Sequence, residues 1–180
     1  MDAIEIKRKV CLLGAPGVGK TNVIKRYVYN LFDDKYITTI GTNVTKKVLK
    51  LVYATEGKTV DLTMMIWDLE GYYAPSSLTS VYYLGSKGGM FVCDLTRRET
   101  LQGMEDRVNA FFNKVGTVPI VFIGNKKDLV DKIEIKEEEI AELAKKYNAP
   151  YFLTSAKTSE NIVKAFYVLG DAMARESLKQ

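Results

Sequence analysis

The 180-residue sequence contains no histidine, and it has only two cysteines and four prolines. Without histidine, neither imidazole acid–base catalysis nor imidazole metal ligation is available. Cys11 and Cys93 both stand inside apolar runs, so we expect reduced, buried thiols and neither a disulfide framework nor a metal site. The scarcity of proline and the absence of low-complexity runs argue against a disordered or fibrous chain.

Long hydrophobic runs are also absent, since none approaches the roughly 20 residues that a membrane-spanning helix needs. Lys7, Arg8 and Lys9 stand where a secretory signal would place an apolar stretch. The 26 basic and 22 acidic residues give a net charge of +4, too little for a nucleic-acid-binding surface. We therefore expect a cytoplasmic protein that binds no nucleic acid.

The pattern of short apolar runs alternating with stretches of helical periodicity predicts an α/β fold. We expect a six-stranded, mainly parallel sheet surrounded by about five helices. The predicted strands are 9–13, 44–53, 60–67, 90–94, 120–123 and 151–153. Lysines in 44–53 place that strand at an edge, joined to the next by an antiparallel hairpin. With 47% hydrophobic residues, no repeat and no linker, residues 1–180 are predicted to form a single domain.

The strongest motif, GAPGVGKT at residues 14–21, follows the first predicted strand and fits the phosphate-loop pattern G-x-x-x-x-G-K-S/T. Glycines let successive backbone N–H groups turn toward phosphate oxygens. Lys20 would reach the β- and γ-phosphates of ATP or GTP, and the Thr21 hydroxyl would bind Mg²⁺. Pro16 removes one N–H from the loop, so the later N–H groups are expected to bind phosphate. The predicted phosphate-side residues are Ala15, Pro16, Gly17, Val18, Gly19, Lys20, Thr21 and Asn22.

Two further segments select the base. Asn125-Lys126-Lys127-Asp128 and Ser155-Ala156-Lys157 each follow an apolar run, and their order and spacing resemble the guanine-reading motifs of small GTPases of the Ras superfamily. The Asp128 carboxylate can accept two hydrogen bonds from guanine N1–H and the exocyclic amine, a pattern that adenine lacks. The resemblance implies that Asn125 braces the loops, that Lys126 lies along the base, and that the Ala156 N–H donates to the guanine carbonyl. It adds Leu129, Ser155 and Lys157 to the same site.

Two other segments are similar to the switch regions of that superfamily. Residues 32–42 resemble the first switch, with Phe32 at the edge of the base, Tyr36 closing over the phosphates and Thr39 on Mg²⁺. Residues 68–83 resemble the second switch and begin with a D-x-x-G element. There Asp68 would hold Mg²⁺ through water and the Gly71 N–H would sense the γ-phosphate. The resemblance thus implies the metal ligands Thr21, Thr39 and Asp68, and the catalytic residues Lys20, Thr39, Gly71 and Tyr72.

Within the superfamily the chain looks most like the Rab branch, through Thr39-Ile40-Gly41, Trp67 and the TSVYYLG run at 79–85. This resemblance implies a GTP/GDP-binding molecular switch and small monomeric GTPase in membrane traffic or related signalling. Its partners would be effectors, exchange factors and GTPase-activating proteins that contact the switch regions. The residues by themselves leave open whether Tyr82 and Tyr83 are core or surface aromatics.

Several positions depart from the family pattern. Tyr72 stands where the family usually has a glutamine that orients the attacking water, so we expect slow hydrolysis. The alternative is a GTP-binding interaction module with negligible hydrolysis. Val44 replaces an aromatic of the Rab pattern, so effector identity does not transfer. The last residues, ESLKQ, contain no cysteine for prenylation, and attachment to the cytosolic face of a membrane is therefore expected only if a tail was removed.

Overall fold

The protein is represented by a computed structural model that describes residues 2–35, 42–69 and 80–180. Its centre is a six-stranded sheet with the strand order β2-β3-β1-β4-β5-β6. The strands are β1 Ile4–Leu13, β2 Thr42–Tyr53, β3 Lys58–Leu69, β4 Ser86–Asp94, β5 Ile120–Asn125 and β6 Tyr151–Leu153. The predicted six-stranded sheet is confirmed.

β2 is the antiparallel edge strand, as its lysines predict. It pairs with β3 from Thr42 opposite Leu69 to Tyr53 opposite Lys58, whereas the other strand pairs are parallel. The predicted start of β1 at Lys9 is wrong, because the strand begins five residues earlier, at Ile4. Charged residues fit in residues 4–8 because the backbone of this segment pairs with β3 while the side chains remain largely at the surface and so keep their contact with water.

Helices cover both faces of the sheet. Five lie within the described ranges: α1 Lys20–Tyr29, α2 Glu99–Gln102, α3 Met104–Val115, α4 Glu137–Lys146 and α5 Ile162–Leu178. β1 supplies both cores because successive side chains of a strand point to opposite faces. Val10 packs with α1 and α5, and Cys11 packs with α3 and α4. This arrangement confirms the predicted α/β architecture.

The structure also shows which of the cysteine and tyrosine side chains discussed above are buried and which are exposed. Cys11 and Cys93 are buried free thiols, as expected. Tyr83 is buried, with its ring centroid 5.5 Å from that of Phe111 in an edge-to-face contact, whereas Tyr82 is exposed. In the described part of the chain, no helix has both the length and the apolar character required to cross a bilayer.

Parallel pairing places the carboxyl ends of β1, β3, β4, β5 and β6 at one edge of the sheet. Ligands of open α/β sheets bind at this edge. A polar segment of the chain lies at the carboxyl end of each of these strands. These segments begin with Gly14, Asp68, Asp94, Asn125 and Thr154.

Candidate nucleotide-binding site

The predicted phosphate loop connects β1 to α1, and two of its glycines are required by the space around them. A Cβ atom on Gly14 would lie 2.2 Å from the carbonyl oxygen of Val92, so no side chain fits there. Gly19 has φ of 99°, and a Cβ atom on it would lie 2.5 Å from Asn125 Nδ2. The loop therefore lies directly against β4 and the end of β5.

Three consecutive carbonyl groups of this loop accept hydrogen bonds from side chains that lie outside it. The pairs are Arg97 Nη2 with Pro16 O at 2.7 Å, Lys126 Nζ with Gly17 O at 2.8 Å, and Asn125 Nδ2 with Val18 O at 3.0 Å. In a trans peptide the N–H points away from the carbonyl, so holding these carbonyls on one side turns the N–H groups that follow them to the other side. Consecutive N–H groups arranged in this way form an anion-binding nest. Side chains from the carboxyl ends of β4 and β5 thus fix the positions of the loop carbonyls.

Lys20 is 6% exposed, and its ammonium donates to the carbonyls of Gly14 at 2.9 Å and Ala15 at 3.1 Å. Burial lowers the pKa of Lys20 to about 8; the Asp68 carboxylate opposes this change, and the positive charges of Arg107 and Arg97 add to it. A buried cation with two other cations near it favours an anionic ligand. This electrostatic environment suits a polyphosphate.

A candidate Mg²⁺ position lies between Thr21 and Asp68, where the Thr21 hydroxyl donates to Asp68 Oδ2 at 2.6 Å. Asp68 is buried, and its Oδ1 has no hydrogen-bond partner among the described residues. Burial raises the pKa of Asp68, although Thr21 and the charge of Lys20 oppose that rise. Carboxylate and hydroxyl oxygens are the donors that Mg²⁺ prefers, so the two side chains fit this ion.

These two oxygens do not complete an octahedral shell. Within residues 2–35, 42–69 and 80–180 there is no group of three or more acidic, cysteine or histidine side chains that would hold a metal ion. Mg²⁺ usually retains waters and takes further oxygens from substrate phosphates. The donor set therefore fits an ion that arrives together with a nucleotide.

Asn125 connects the base-side loops. It is 2% exposed, and its Oδ1 accepts hydrogen bonds from the Thr154 hydroxyl at 3.0 Å and from the Ala156 N–H at 3.3 Å. The Ser155 hydroxyl donates to Asp128 Oδ1 at 2.7 Å, so the two predicted base-reading motifs contact each other directly. The tertiary structure thus brings together segments that are about 30 residues apart in the chain.

Asp94 is a residue that sequence reasoning missed. Its Oδ2 lies 2.8 Å from Lys126 Nζ and 3.3 Å from Arg97 Nε, and its Oδ1 accepts from the Thr96 hydroxyl and N–H. Burial alone would raise the pKa of Asp94, but the hydrogen bonds from Lys126 and Thr96 outweigh burial and hold the pKa below its ordinary value. A carboxylate at the carboxyl end of a strand, with an arginine three residues on, was the available signal.

Arg26 is a second missed residue, and nothing in the sequence distinguishes it from a surface arginine. Its Nε donates to Ala156 O at 2.8 Å, and its Nη2 donates to Lys157 O at 2.8 Å. These bonds fasten the Ser-Ala-Lys segment to α1 and hence to the phosphate loop. Only the tertiary structure reveals this connection.

The remaining predicted residues lie around the same edge. Asn22 Nδ2 donates to Asp33 O at 3.0 Å, and Asn22 Oδ1 accepts from Asp33 N–H at 3.1 Å, which holds the start of segment 32–35 against α1. Phe32 packs against the core, Leu129 is half-buried and Lys157 is exposed. The predicted site residues Tyr36, Thr39, Gly71 and Tyr72 lie outside the described residues.

A mainly parallel α/β sheet with a phosphate loop between β1 and α1 and a buried lysine at the start of α1 defines the P-loop nucleotide-binding fold. Comparison with known proteins assigns the family: the model of the Ras family matches residues 9–175. Ras-related protein Rab-27B of Rattus norvegicus is 35% identical over an alignment of 182 positions that covers 95% of this chain and 81% of that protein. Ras-related protein Rab-7b of Mus musculus is 32% identical over 169 residues, covering 92% and 81%.

The chain belongs to the Ras family, within its Rab branch, and is a GTP-binding small GTPase. The resemblance inferred from the sequence motifs is confirmed. GTPases of the Ras superfamily generally bind GTP or GDP together with Mg²⁺.

Proposed function

We propose that residues 1–180 form one G domain that binds Mg²⁺ with GTP or GDP, hydrolyses GTP slowly and acts as a switch in membrane traffic. The proposal rests chiefly on one observation: Asn125 and Lys126 of the predicted base-reading motif donate directly to carbonyls of the phosphate loop, at 3.0 and 2.8 Å. A base and its phosphates would therefore be held by one connected frame.

On the phosphate side, the backbone N–H groups of residues 17–19 bind phosphate oxygens. Lys20 places its ammonium on the β- and γ-phosphates and releases the two loop carbonyls that it now contacts. GTP supplies the phosphoanhydride bond that water cleaves. The loop N–H groups and the Lys20 ammonium stabilise the negative charge that develops as that bond breaks. The chain has no histidine, so no imidazole acts as a general base in this reaction.

On the base side, Asp128 accepts hydrogen bonds from guanine N1–H and the exocyclic amine. Ser155 orients this carboxylate by donating to Oδ1. Lys126 lies along the base while its Nζ is engaged with Gly17 O and Asp94. These contacts would exclude adenine, which has neither an N1–H nor an amine at C2 to donate to the carboxylate.

For the metal, Thr21 and Asp68 are the proposed ligands in the described part of the chain, with Thr39 as a third from sequence. Mg²⁺ supplies positive charge that neutralises the phosphates when it is bound. Asp68 would hold the ion through a water molecule, and Thr21 would bind it with its hydroxyl. Thr39 and the Gly71 N–H are proposed to couple residues 32–42 and 68–83 to the γ-phosphate, so that hydrolysis releases both switches.

The proposed slow rate depends on Tyr72, because a phenol does not reproduce the amide that orients the attacking water. If hydrolysis is negligible, the chain is instead a GTP-binding interaction module. Nucleotide released by mild denaturation of the purified protein, identified by chromatography, tests binding first. GDP supports turnover or exchange in the host, GTP supports the interaction module, and adenine nucleotide or none contradicts guanine specificity.

The Rab branch supports a role at the cytosolic face of membranes, with effectors, exchange factors and GTPase-activating proteins as partners. These partners are proposed to contact the switch regions. At the adjoining sheet edge, Val44 is exposed and pairs with Trp67 on β3. Its side chain is smaller than the aromatic of the Rab pattern, so effector specificity is proposed to differ from that of the named relatives. Affinity capture with GTP-loaded against GDP-loaded protein tests for switch-dependent partners.

A further inference from the structure

We propose that Arg97 is a positioning residue of the phosphate loop: together with Asp94, it holds the Pro16 carbonyl outward and thereby turns the Gly17 N–H toward bound phosphate. This inference rests on the proposed function, because it concerns how the same loop binds nucleotide. It adds a residue outside every motif that the sequence analysis identified.

Arg97 contacts the phosphate loop and a buried carboxylate at the same time. Its Nη2 donates to Pro16 O at 2.7 Å, and its Nε lies 3.3 Å from Asp94 Oδ2. A guanidinium is planar, so two simultaneous bonds fix its orientation as well as its position. The third contact, Nη1 to the exposed Glu99 carboxylate, is longer, at 3.9 Å. The arginine thus bridges a loop carbonyl to a buried carboxylate.

Asp94 is a rigid anchor for this bridge because it is itself held on both oxygens. It is 1% exposed, and Thr96 donates to Oδ1 through its N–H at 2.9 Å and its hydroxyl at 2.7 Å. Lys126 binds Oδ2 at 2.8 Å and also donates to Gly17 O. One carboxylate therefore organises two cations, and each cation holds one of two successive loop carbonyls.

Peptide geometry converts the outward carbonyl into an inward N–H. In a trans peptide unit, C=O and the following N–H point in opposite directions, and there is no cis peptide bond in the described part of the chain. Fixing the Pro16 carbonyl therefore fixes the direction of the Gly17 N–H. Without Arg97, rotation of this peptide plane would cost little, because Gly17 has φ of 75° and glycine is permissive there.

Pro16 does not fix this plane by itself. Proline restricts its own φ, but its ψ, which sets the direction of the Pro16–Gly17 peptide plane, remains free. The neighbouring Arg98 shows that proximity in sequence is not sufficient. Its guanidinium bonds the Glu139 carboxylate and the Glu134 carbonyl, and none of its contacts within the described residues is with the phosphate loop.

The experiment compares Arg97→Met, Arg97→Lys and the matched control Arg98→Met in the full chain. We expect dissociation of fluorescent GDP to be about 10-fold faster for Arg97→Met, because a charge-assisted hydrogen bond is lost. Arg97→Lys retains a charge and one donor and should give an intermediate rate. Arg98→Met should dissociate at the wild-type rate. An unchanged rate for Arg97→Met, or an equal acceleration by Arg98→Met, overturns the inference.

A second readout separates this inference from the proposed function. Nitrogen-15 relaxation of the Gly17 amide, recorded without nucleotide, should show more nanosecond motion in Arg97→Met and partial restoration in Arg97→Lys. A general loss of packing would not single out this amide. If wild-type protein binds no guanine nucleotide, the proposed function fails, while the Gly17 amide still decides the role of Arg97. Unchanged Gly17 motion in both Arg97 variants overturns that role.

Discussion

The Asn125 side-chain amide donates a hydrogen bond to the Val18 carbonyl at 3.0 Å and so joins the end of β5 to the phosphate loop across 107 residues of sequence. Its other atom, Oδ1, binds Thr154 and Ala156 in the loop after β6. One buried amide therefore holds together three segments that the chain delivers separately. Its loss should affect stability as well as binding.

Asn125→Ala removes three hydrogen bonds and leaves buried partners unsatisfied. We expect the free energy of unfolding to fall by about 2–4 kcal/mol. Urea denaturation of nucleotide-free protein measures this change. Asn109→Ala is the matched control, because Asn109 is exposed and accepts a single bond from the Tyr147 hydroxyl. A loss at Asn125 no larger than at Asn109 would contradict the central role of this amide.

Asp128→Asn should change base preference. The new amide oxygen can still accept from Ser155, so the fold is expected to survive, but the group facing the base now donates a hydrogen bond. Affinity for GTP should fall more than affinity for xanthosine triphosphate, whose carbonyl accepts that bond. Competition titrations measure both affinities.

The exposed Asp131 provides a comparison of the same chemistry outside the site. Asp131→Asn should leave both affinities unchanged. If Asp128→Asn preserves the preference for GTP, Asp128 does not read the base.

Tyr72→Gln should increase hydrolysis, because an amide can orient the attacking water where a phenol does not. We expect a rise of at least about 10-fold in the single-turnover rate, within the range that general positioning effects span. Phosphate release from GTP-loaded protein provides the measurement. Tyr72→Phe controls for the hydroxyl and should remain slow. An equally slow Tyr72→Gln would show that water orientation does not limit the rate.

Cys93 should make the protein less stable at alkaline pH. Burial, with a smaller contribution from the Asp94 charge, raises the pKa of this thiol from 9.0 to about 12. Since the folded-state pKa is the higher one, its stabilising effect is complete below pH 9 and is lost as the pH rises toward 12.

The measurement for Cys93 is urea unfolding of wild type and Cys93→Ala at several pH values. The stability advantage of wild type should shrink by up to about 1.4 kcal/mol per pH unit above pH 9. Comparison within the pair cancels the tyrosines and lysines that also titrate in this range. A constant difference between pH 8 and pH 11 would contradict a buried, neutral Cys93.

Local sequence was sufficient for much of the fold. The phosphate loop was predictable because its glycines and lysine act on their own backbone neighbours, and strand β2 was recognisable as an edge from its lysines. The true start of β1 was not, because its charged residues are stabilised by parallel pairing with β3, which local periodicity does not report. Tyr82 and Tyr83 were equally ambiguous until α3 placed Phe111 beside Tyr83.

The sequence by itself determined the class of this protein, because nucleotide chemistry requires specific residue types at short, local spacings. Only the tertiary structure decided how those residues are held. Asp94, Arg97 and Arg26 belong to no local motif. The two arginines bond loop carbonyls 81 to 131 residues away, and Asp94 holds Arg97 in place. Contacts of that kind depend on which strand ends meet at one edge of the sheet, and sheet order is a property of the whole folded chain.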